Sequence, residues 1–417
     1  MAREAGRPGS ILDASYDDGA VGIYLHLPFC ERVCPYCDFA VVAARPLTQA
    51  IEESYMAGLV SELAARRADF EGRGLATIYF GGGTPSLLQP ASIRRLVDAV
   101  HDAFPSKANS EIETTLELNP STVEESRIPA FRDAGINRLS IGIQSFDDDQ
   151  LKRLGRAHRA PVARSTLRAA RAAGFDNLSI DLIFAGPGQT TADLGRDLDE
   201  LLEWRPEHVS TYELTFEPET PFGKALAAGK MEACDEDHAA EMIEQIEERL
   251  TGAGFERYEI SNYAQPGRRA QHNARYWERQ AVLGLGLGAH STEARTKDRP
   301  HGARRANPRG LAEWHSRLRA DAARVGELES LSAETARGEA VFLALRRREG
   351  LDVRRFSAEF GGPPSAFFGP EIKRVVDHGW LIEAPGGDLT LSARGRLLAD
   401  SVAAEFVVEE DRARGGN

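Results

Sequence analysis

Polar and apolar residues alternate along six short segments in the first half of the chain. The segments span residues 21–28, 75–81, 112–119, 138–145, 177–185 and 208–216. Between them, apolar residues recur at spacings of three and four, most clearly at 194–202, which predicts amphipathic helices. Six strand–helix units in succession predict an α/β fold, a parallel sheet curved into a partial (β/α)6 barrel with its helices outside.

The predicted strands contain more polar residues than buried parallel strands usually do. Buried parallel strands are normally apolar almost throughout, yet in the segment 138–145 polar residues and Gly142 alternate with Leu139, Ile141 and Ile143. Four strands share this pattern, and their second face carries Tyr24, His26, Glu117, Asn119, Arg138, Ser140, Gln144, Ser179 and Asp181. Because the apolar face must pack on helices, we expect the polar face to line a barrel interior that holds a ligand. The alternative places each of these residues at an exposed strand end.

The second half of the chain predicts smaller units. Residues 237–252 form an amphipathic helix, and the glycine run at 284–291 is typical of a closely packed strand. Residues 331–400 show three helical patterns and a hairpin, which favours a winged-helix-like α+β domain. We therefore predict five parts: a disordered N-terminus at 1–20, a core barrel at 21–235, a barrel-closing extension at 236–325, a winged-helix-like domain at 326–403 and a disordered tail at 404–417.

Composition narrows the function classes. The net charge of −13 disfavours nucleic-acid binding, also for the winged-helix-like domain, because phosphate contacts need a basic surface. No stretch has the pattern of a secretory signal or a membrane span. Three of the four cysteines are clustered and do not form a disulfide framework, so we predict a reducing, cytoplasmic location.

The cysteine cluster is the strongest chemical feature. Cys30, Cys34 and Cys37 have the spacing C-x3-C-x2-C directly after the first predicted strand. Three thiolates can ligate three irons of a 4Fe-4S cluster and leave the fourth iron open to an exchangeable ligand. The alternative is structural zinc with His26 as fourth ligand, but a strand fixes that side chain on one face of the sheet. Cys234 stands apart and is predicted to be an ordinary packed thiol.

A glycine-rich loop follows the second strand. Gly82, Gly83 and Thr84 lie beside the cysteine loop, at the strand ends where barrel folds place their sites. Consecutive glycines let backbone groups approach a ligand closely. A tight turn without a ligand is the alternative.

The cysteine spacing, with Tyr36 just before the third cysteine, resembles that of the radical S-adenosylmethionine superfamily. Over roughly residues 20–400 the chain is similar to the branch that holds oxygen-independent coproporphyrinogen III oxidase and the HemW-type heme chaperones. The resemblance implies a 4Fe-4S cluster on the three cysteines, S-adenosylmethionine as a second cofactor, and heme. It assigns S-adenosylmethionine contacts to Tyr24, Tyr36, Gly82, Gly83, Thr84, Glu117, Gln144, Arg156 and Asp181. Without it, Arg156 would be interpreted as a solvated arginine at a helix end.

A second motif, His272 followed by Tyr276 and Trp277, resembles the H-N-x-x-Y-W string that is associated with heme binding in HemW-type proteins. A neutral histidine beside aromatic residues can ligate heme iron, which makes His272 a candidate heme ligand. The alternative is a hydrogen-bonded core cluster that closes the open side of the barrel. HemW-like chains often carry a cysteine where this chain has Gln271, so a thiol contribution is in doubt.

Two functions fit the resemblance, a heme chaperone and an oxygen-independent coproporphyrinogen III oxidase. The oxidase carries a further cysteine where this chain has Phe39, and it has a longer N-terminal extension. We therefore expect a chaperone that hands heme to an acceptor protein and does not turn over coproporphyrinogen; a radical enzyme for another substrate is a third option. The expected partners are heme, an unidentified acceptor with respiratory proteins among the candidates, and a reductant for the cluster; a homodimer is a further option.

Overall fold

The computed structural model describes residues 17–105 and 111–407. The strands are β1 (Ala20–Leu27), β2 (Phe29–Cys30), β3 (Val42–Ala43), β4 (Gly74–Gly82), β5 (Glu113–Leu118), β6 (Arg138–Gln144), β7 (Leu178–Phe184), β8 (His208–Glu213), β9 (Glu256–Arg257), β10 (Asn262–Ala264), β11 (Val282–Leu285), β12 (His290–Glu293), β13 (Ala303–Ala306), β14 (Glu327–Ser330), β15 (Leu381–Glu383) and β16 (Leu389–Leu391). The α-helices are α1 (Gln49–Arg66), α2 (Pro90–Ala103), α3 (Thr122–Asp133), α4 (Asp148–Arg153), α5 (Ala160–Ala172), α6 (Thr191–Trp204), α7 (Pro221–Ala227), α8 (Glu236–Gly252), α9 (Gln271–Trp277), α10 (Leu311–Ala320), α11 (Ala333–Leu345), α12 (Val353–Phe360), α13 (Pro364–Asp377), α14 (Ala393–Leu397) and α15 (Ala399–Ala404). None of the helices in these residues is both long and apolar enough to cross a membrane.

The core of the molecule is one open twelve-stranded sheet. Its order is β14-β13-β12-β11-β1-β4-β5-β6-β7-β8-β10-β9. The strands from β11 to β8 pair in parallel, whereas the strands at both ends of the sheet pair antiparallel. All six predicted strands are present, each boundary within three residues of the prediction, and β11 adds a parallel strand from the glycine run. The predicted α/β fold class is confirmed.

The alternation predicted from sequence governs how each strand packs. On β6, Leu139, Ile141 and Ile143 are fully buried in the main hydrophobic core beneath the helices. The same core takes the buried face of α6, whose start is fixed by a capping box between Thr190 and Asp193. The opposite, polar face of the parallel strands therefore turns to the inside of the curved sheet.

The C-terminal part has a core of its own. Helices α11 to α13 and the hairpin β15–β16 confirm the predicted three helices and hairpin, and they bury Val341, Phe356 and Val375 together. Arg279 ties this part to the barrel, because its guanidinium pairs with Glu339 and with Glu359, each at 2.8 Å. The predicted domain boundaries stay a prediction.

Most of the two predicted disordered ends falls outside the described residues. Of the described remainder, Arg73 pairs with Asp17 through both carboxylate oxygens. Phe406, at the other end, is 1% exposed and packs in the C-terminal core.

Candidate cofactor site in the barrel

The three clustered cysteines lie in one loop at the carboxyl end of β1. Cys30 ends β2, which pairs with β3 and so pins the start of the loop, and Cys34 and Cys37 follow in a turn closed by a 3.1 Å hydrogen bond from the Cys37 N–H to the Cys34 carbonyl. All three are free thiols, Cys30 buried and the others half-buried. Burial raises the pKa of Cys30 to about 11 and also raises that of Cys37. The thiols of Cys30 and Cys37 would need a bound cation to become thiolates at neutral pH.

A chain of hydrogen bonds connects the cysteine loop to the interior of the barrel. The Arg156 guanidinium donates to the Cys34 sulfur at 3.4 Å, to Asn119 Oδ1 at 2.5 Å and to the Gly142 carbonyl at 3.0 Å. Asn119 in turn donates to the Thr84 hydroxyl at 2.7 Å, and Thr84 lies 3.7 Å from the Cys30 sulfur. Arg156 is therefore not the solvated helix-end arginine that its local sequence favours. The network orients two of the three cysteine sulfurs from the barrel side.

Asn119 is the site residue that the sequence-based assignment missed. It directly follows β5, two positions after Glu117, and its amide joins Arg156 to Thr84. The alternation had already placed it on the inward face. This inward position was sufficient reason to count Asn119 among the candidate site residues.

His26 is fully engaged inside the protein. Its Nε2 lies 2.8 Å from the Ala40 carbonyl oxygen, and its Nδ1 lies 3.1 Å from the Tyr24 hydroxyl. Burial lowers the pKa of this imidazole, so it is neutral. With both ring nitrogens in use, His26 does not serve as the fourth ligand that structural zinc would need. Among residues 17–105 and 111–407, no three His, Cys, Asp or Glu side chains form a group that could hold a single metal ion.

The glycine-rich loop packs directly under the cysteine loop. A Cβ at Gly83 would lie 2.7 Å from the Pro28 carbonyl, and one at Gly82 would lie 2.7 Å from the His26 ring. Gly82 also has φ +114°, a conformation that favours glycine. The Gly82 N–H donates to Glu117 at 3.0 Å and the Gly83 N–H to the Leu27 carbonyl at 2.9 Å. A ligand ammonium group only donates hydrogen bonds, so this loop could receive it only through backbone carbonyl oxygens or the Thr84 hydroxyl.

Two carboxylates project into the barrel from β5 and β7. Glu117 accepts hydrogen bonds from the Tyr79 hydroxyl at 2.8 Å and from the Gly82 N–H, and Asp181 accepts from Ser140 at 2.9 Å and Ser179 at 2.9 Å. Burial raises the pKa of Glu117 to about 7 and also raises that of Asp181. Both side chains nevertheless keep some accessible surface. The interior is therefore enclosed by protein yet open to a ligand.

Gln144 ends β6 in a strained conformation. Its φ of 69° lies in the left-handed region, and its Oε1 is buried without a hydrogen-bond partner in the described part of the chain. Asp197 stabilises the turn that follows, because its carboxylate accepts hydrogen bonds from the Ser145 hydroxyl and the Phe146 N–H, both at 2.7 Å. Strain together with an unpaired buried amide oxygen is typical of a site that receives a ligand.

The aromatic candidates lie at two levels of the site. Tyr36 lies beside Cys34 and Arg156, with its ring 6.1 Å from that of Phe222. Burial raises the pKa of Tyr36, so its hydroxyl stays protonated. Tyr24 projects from β1 into the interior, stacked 6.0 Å from Tyr79.

His272 lies in a closed aromatic cluster against the same tyrosines. Its ring stacks on Tyr79 at 5.1 Å; its Nδ1 lies 2.7 Å from the Thr77 hydroxyl and its Nε2 lies 3.0 Å from the Tyr276 hydroxyl. The residue is 1% exposed, and burial lowers its pKa to about 3. The imidazole is therefore neutral, but both nitrogens are occupied. This arrangement matches the core-cluster alternative, and iron ligation at Nε2 would first require Tyr276 to move.

The residues present fit the two cofactors that the family resemblance implies. Three sulfurs in one loop suit an iron-sulfur cluster, and the carboxylates of Glu117 and Asp181 can accept hydrogen bonds from the hydroxyl or amino groups of a cationic nucleotide. The unpaired Gln144 oxygen offers a further acceptor. When bound, such a cluster and S-adenosylmethionine supply one-electron chemistry at the open iron. The chain itself contributes the enclosed, polar and preorganised interior.

Comparison with known proteins agrees with this architecture. The family model of the radical SAM superfamily matches residues 24–201, and the model of the HemN C-terminal domain matches residues 331–398. In the solved structure of coproporphyrinogen III oxidase (HemN) from Escherichia coli, a radical SAM enzyme, the fold is the same, with a TM-score of 0.80 over 94% of this chain and 90% of that one. The two sequences are 21% identical, so this likeness concerns the fold alone.

Sequence relatives extend over almost the entire chain. The protein named heme chaperone HemW of Bacillus subtilis (strain 168) is 31% identical over 387 residues, which is 93% of this chain and 99% of that protein. The protein of the same name from Escherichia coli (strain K12) is 39% identical over 270 residues, 65% of this chain and 69% of that protein. Superfamily membership implies the 4Fe-4S cluster and S-adenosylmethionine. The chain belongs to the HemW family of the radical S-adenosylmethionine superfamily.

Proposed function

We propose that this protein is a heme chaperone, which binds heme and passes it to an acceptor protein. The observation that carries the proposal is the end-to-end match to proteins named heme chaperone HemW. The cysteine loop supports it, because this chain has Phe39 where the family resemblance places a further cysteine of the oxidase. The cluster and S-adenosylmethionine are bound in the barrel by the cysteines and the interior residues described above.

The proposed setting follows from the same observations. The protein acts in the cytoplasm, where the three thiols stay reduced. Its partners are a reductant for the cluster and an acceptor protein, for which respiratory heme proteins are the first candidates. The proposal also includes a homodimer.

His272 is the proposed heme ligand. A neutral imidazole suits iron, and burial keeps this one neutral at any physiological pH. The Tyr276 hydroxyl, 3.0 Å from Nε2, must turn aside for the iron to bind. Heme binding is therefore coupled to opening of the aromatic cluster.

The test is an anaerobic hemin titration of the full-length protein, followed by its Soret absorption. Wild type should bind one hemin per chain, and His272→Ala should shift or remove the Soret band. Tyr276→Phe leaves Nε2 without its hydroxyl partner, so it should bind hemin at least as tightly as wild type. His101→Ala, on the exposed side of α2, is the matched control.

Three results would count against parts of the proposal. No saturable hemin binding by wild type would remove the chaperone function, and a Soret band unchanged in His272→Ala would remove that ligand alone. Formation of protoporphyrinogen from coproporphyrinogen III, with reductant and S-adenosylmethionine present, would assign the oxidase activity instead.

A further inference from the structure

An arginine that no cofactor assignment uses lies inside the barrel. Arg138 begins β6 and is 2% exposed, among the largest fully buried side chains of the protein. It is on the inward face, because Ser140, two residues further along the same strand, donates to Asp181 in the interior. A buried guanidinium is costly and is normally paired.

Arg138 has no such direct partner in the part of the chain that the structure describes. Its Nε is buried without a hydrogen-bond partner, and no ion pair joins the guanidinium to a carboxylate. The positive charge of Arg138 is therefore not neutralised by direct contact with a carboxylate. Such a group acts on its surroundings over distance, and in an enclosed interior that action is only weakly screened.

Strand register places Arg138 one layer below Glu117 and two layers below Asp181 on the interior face of the sheet. Thr115 on β5 is the Cα partner of both Tyr79 and Arg138, and Glu117 on β5 is the partner of Ser140. The Tyr79–Thr115–Arg138 layer therefore lies one step, two residues along each strand, below the Glu117–Ser140 layer. Glu117 lies in this upper layer, and Asp181 lies one step further along because Ser140 pairs with Ser179, two residues before Asp181.

We propose that Arg138 is a positioning residue that favours the ionised form of Glu117 for a cationic nucleotide, by its charge rather than by contact. The inference rests on the proposed cofactor site, in which the carboxylates of Glu117 and Asp181 bind S-adenosylmethionine. A sulfonium and an ammonium group make that ligand a net cation, which binds an ionised carboxylate better than a neutral one. Without Arg138, burial would leave Glu117 mostly protonated at neutral pH.

The electrostatic surroundings of Glu117 agree with this role. Burial raises its pKa to about 7, and the Arg138 charge lowers it, as it also lowers the pKa of Asp181. The other titratable groups that face Glu117 are hydroxyls and one carboxylate: Tyr24 from β1, Tyr79 from β4, Asp181 from β7, Tyr212 from β8 and Tyr276 from α9. Arg138 is thus the one cation among these facing groups in the described residues.

The pKa of Glu117 sets how much affinity for S-adenosylmethionine the loss of Arg138 should cost. An opposite charge within a few Å shifts a carboxyl pKa by about 1–3 units, and the lower figure suits a charge beyond contact. Arg138→Gln would then raise the Glu117 pKa from about 7 to about 8. The ionised fraction at pH 7 would fall from about one half to about one tenth, so S-adenosylmethionine would bind about fivefold more weakly. At pH 9 Glu117 is ionised in both proteins, so the loss should disappear; because Arg138 also repels a cationic ligand, the variant should there bind as tightly as wild type or more tightly.

The experiment is equilibrium dialysis of labelled S-adenosylmethionine against the anaerobic, cluster-loaded full-length protein at pH 7 and pH 9. Arg138→Gln should lose about fivefold in affinity at pH 7 and recover it at pH 9. Arg138→Lys, which keeps the charge, should follow the wild-type pH profile. In the Glu117→Gln background, Arg138→Gln should add little to the pH dependence.

The outcomes separate this inference from the proposed function. Equal losses at pH 7 and pH 9, or no loss at either, would overturn the role of Arg138 while wild-type binding stands. Failure of wild type to bind S-adenosylmethionine at both values would overturn the cofactor site and this inference with it. Circular dichroism of each variant identifies a loss that comes from misfolding, and Arg138→Lys then decides the question.

Discussion

Replacement of Arg156 by methionine tests whether this residue organises the site before any cofactor binds. The methionine fills similar space but donates no hydrogen bond, so Asn119 Oδ1 and the Gly142 carbonyl lose the donor that lies 2.5 Å and 3.0 Å away. A buried acceptor left unpaired costs about 1–3 kcal/mol. Two such acceptors give an expected loss of about 2–6 kcal/mol in the stability of the cofactor-free protein.

The assay is thermal and urea unfolding of the protein without cluster, with Arg159→Met as matched control. Arg159 lies three residues away, its side chain is 79% exposed, and it has a loose 3.7 Å ion pair with Asp148. An exposed pair of this kind contributes about 0–1 kcal/mol, so the control should unfold close to wild type. If Arg156→Met and Arg159→Met unfold alike, Arg156 contributes nothing to the apo architecture and the reasoning from its contacts is refuted.

Two further perturbations follow from the same geometry. The Glu117 pKa is raised from the usual 4.5 to about 7 in the folded state. Wild type should therefore lose stability relative to Glu117→Gln as pH rises from about 4.5 to about 7. A difference in melting temperature between the two proteins that stays constant with pH would contradict this. Gly83→Ala brings a Cβ to 2.7 Å from the Pro28 backbone and should displace the cysteine loop, so both the melting temperature and the iron content should fall. Gly252→Ala on α8 is the control: its Cβ meets open space, so it should be neutral or slightly stabilising. Equal iron content in the two glycine variants would show that the loop tolerates the displacement.

The strands and the cysteine loop were predictable because their causes are local. Alternation on β6 follows directly from one face packing on helices and the other facing the interior, and the same rule placed Glu117 and Asp181 inside. The spacing of the three cysteines defines the loop without reference to the rest of the chain. Features of this kind depend on residues that are close in the sequence, so they can be predicted without the tertiary structure.

Other parts of the site depend on tertiary contacts that no local pattern encodes. Arg156 follows a short helix and would be solvated if Asn119, 37 positions earlier, did not accept its hydrogen bond. The left-handed φ of Gln144 is imposed by the turn that Asp197 holds, and an isolated glutamine would avoid it. The partner of His272 Nδ1 is likewise distant in sequence, because Thr77 is 195 positions away.

The most direct test is the metal centre itself. Iron and zinc should be measured in anaerobically purified protein, together with the low-temperature EPR spectrum of the reduced form with and without S-adenosylmethionine. The account predicts about four irons per chain, a 4Fe-4S signal that changes when S-adenosylmethionine is added, and loss of that signal when Cys30, Cys34 or Cys37 is replaced by serine. Zinc in place of iron, or iron that is indifferent to all three substitutions, would contradict it.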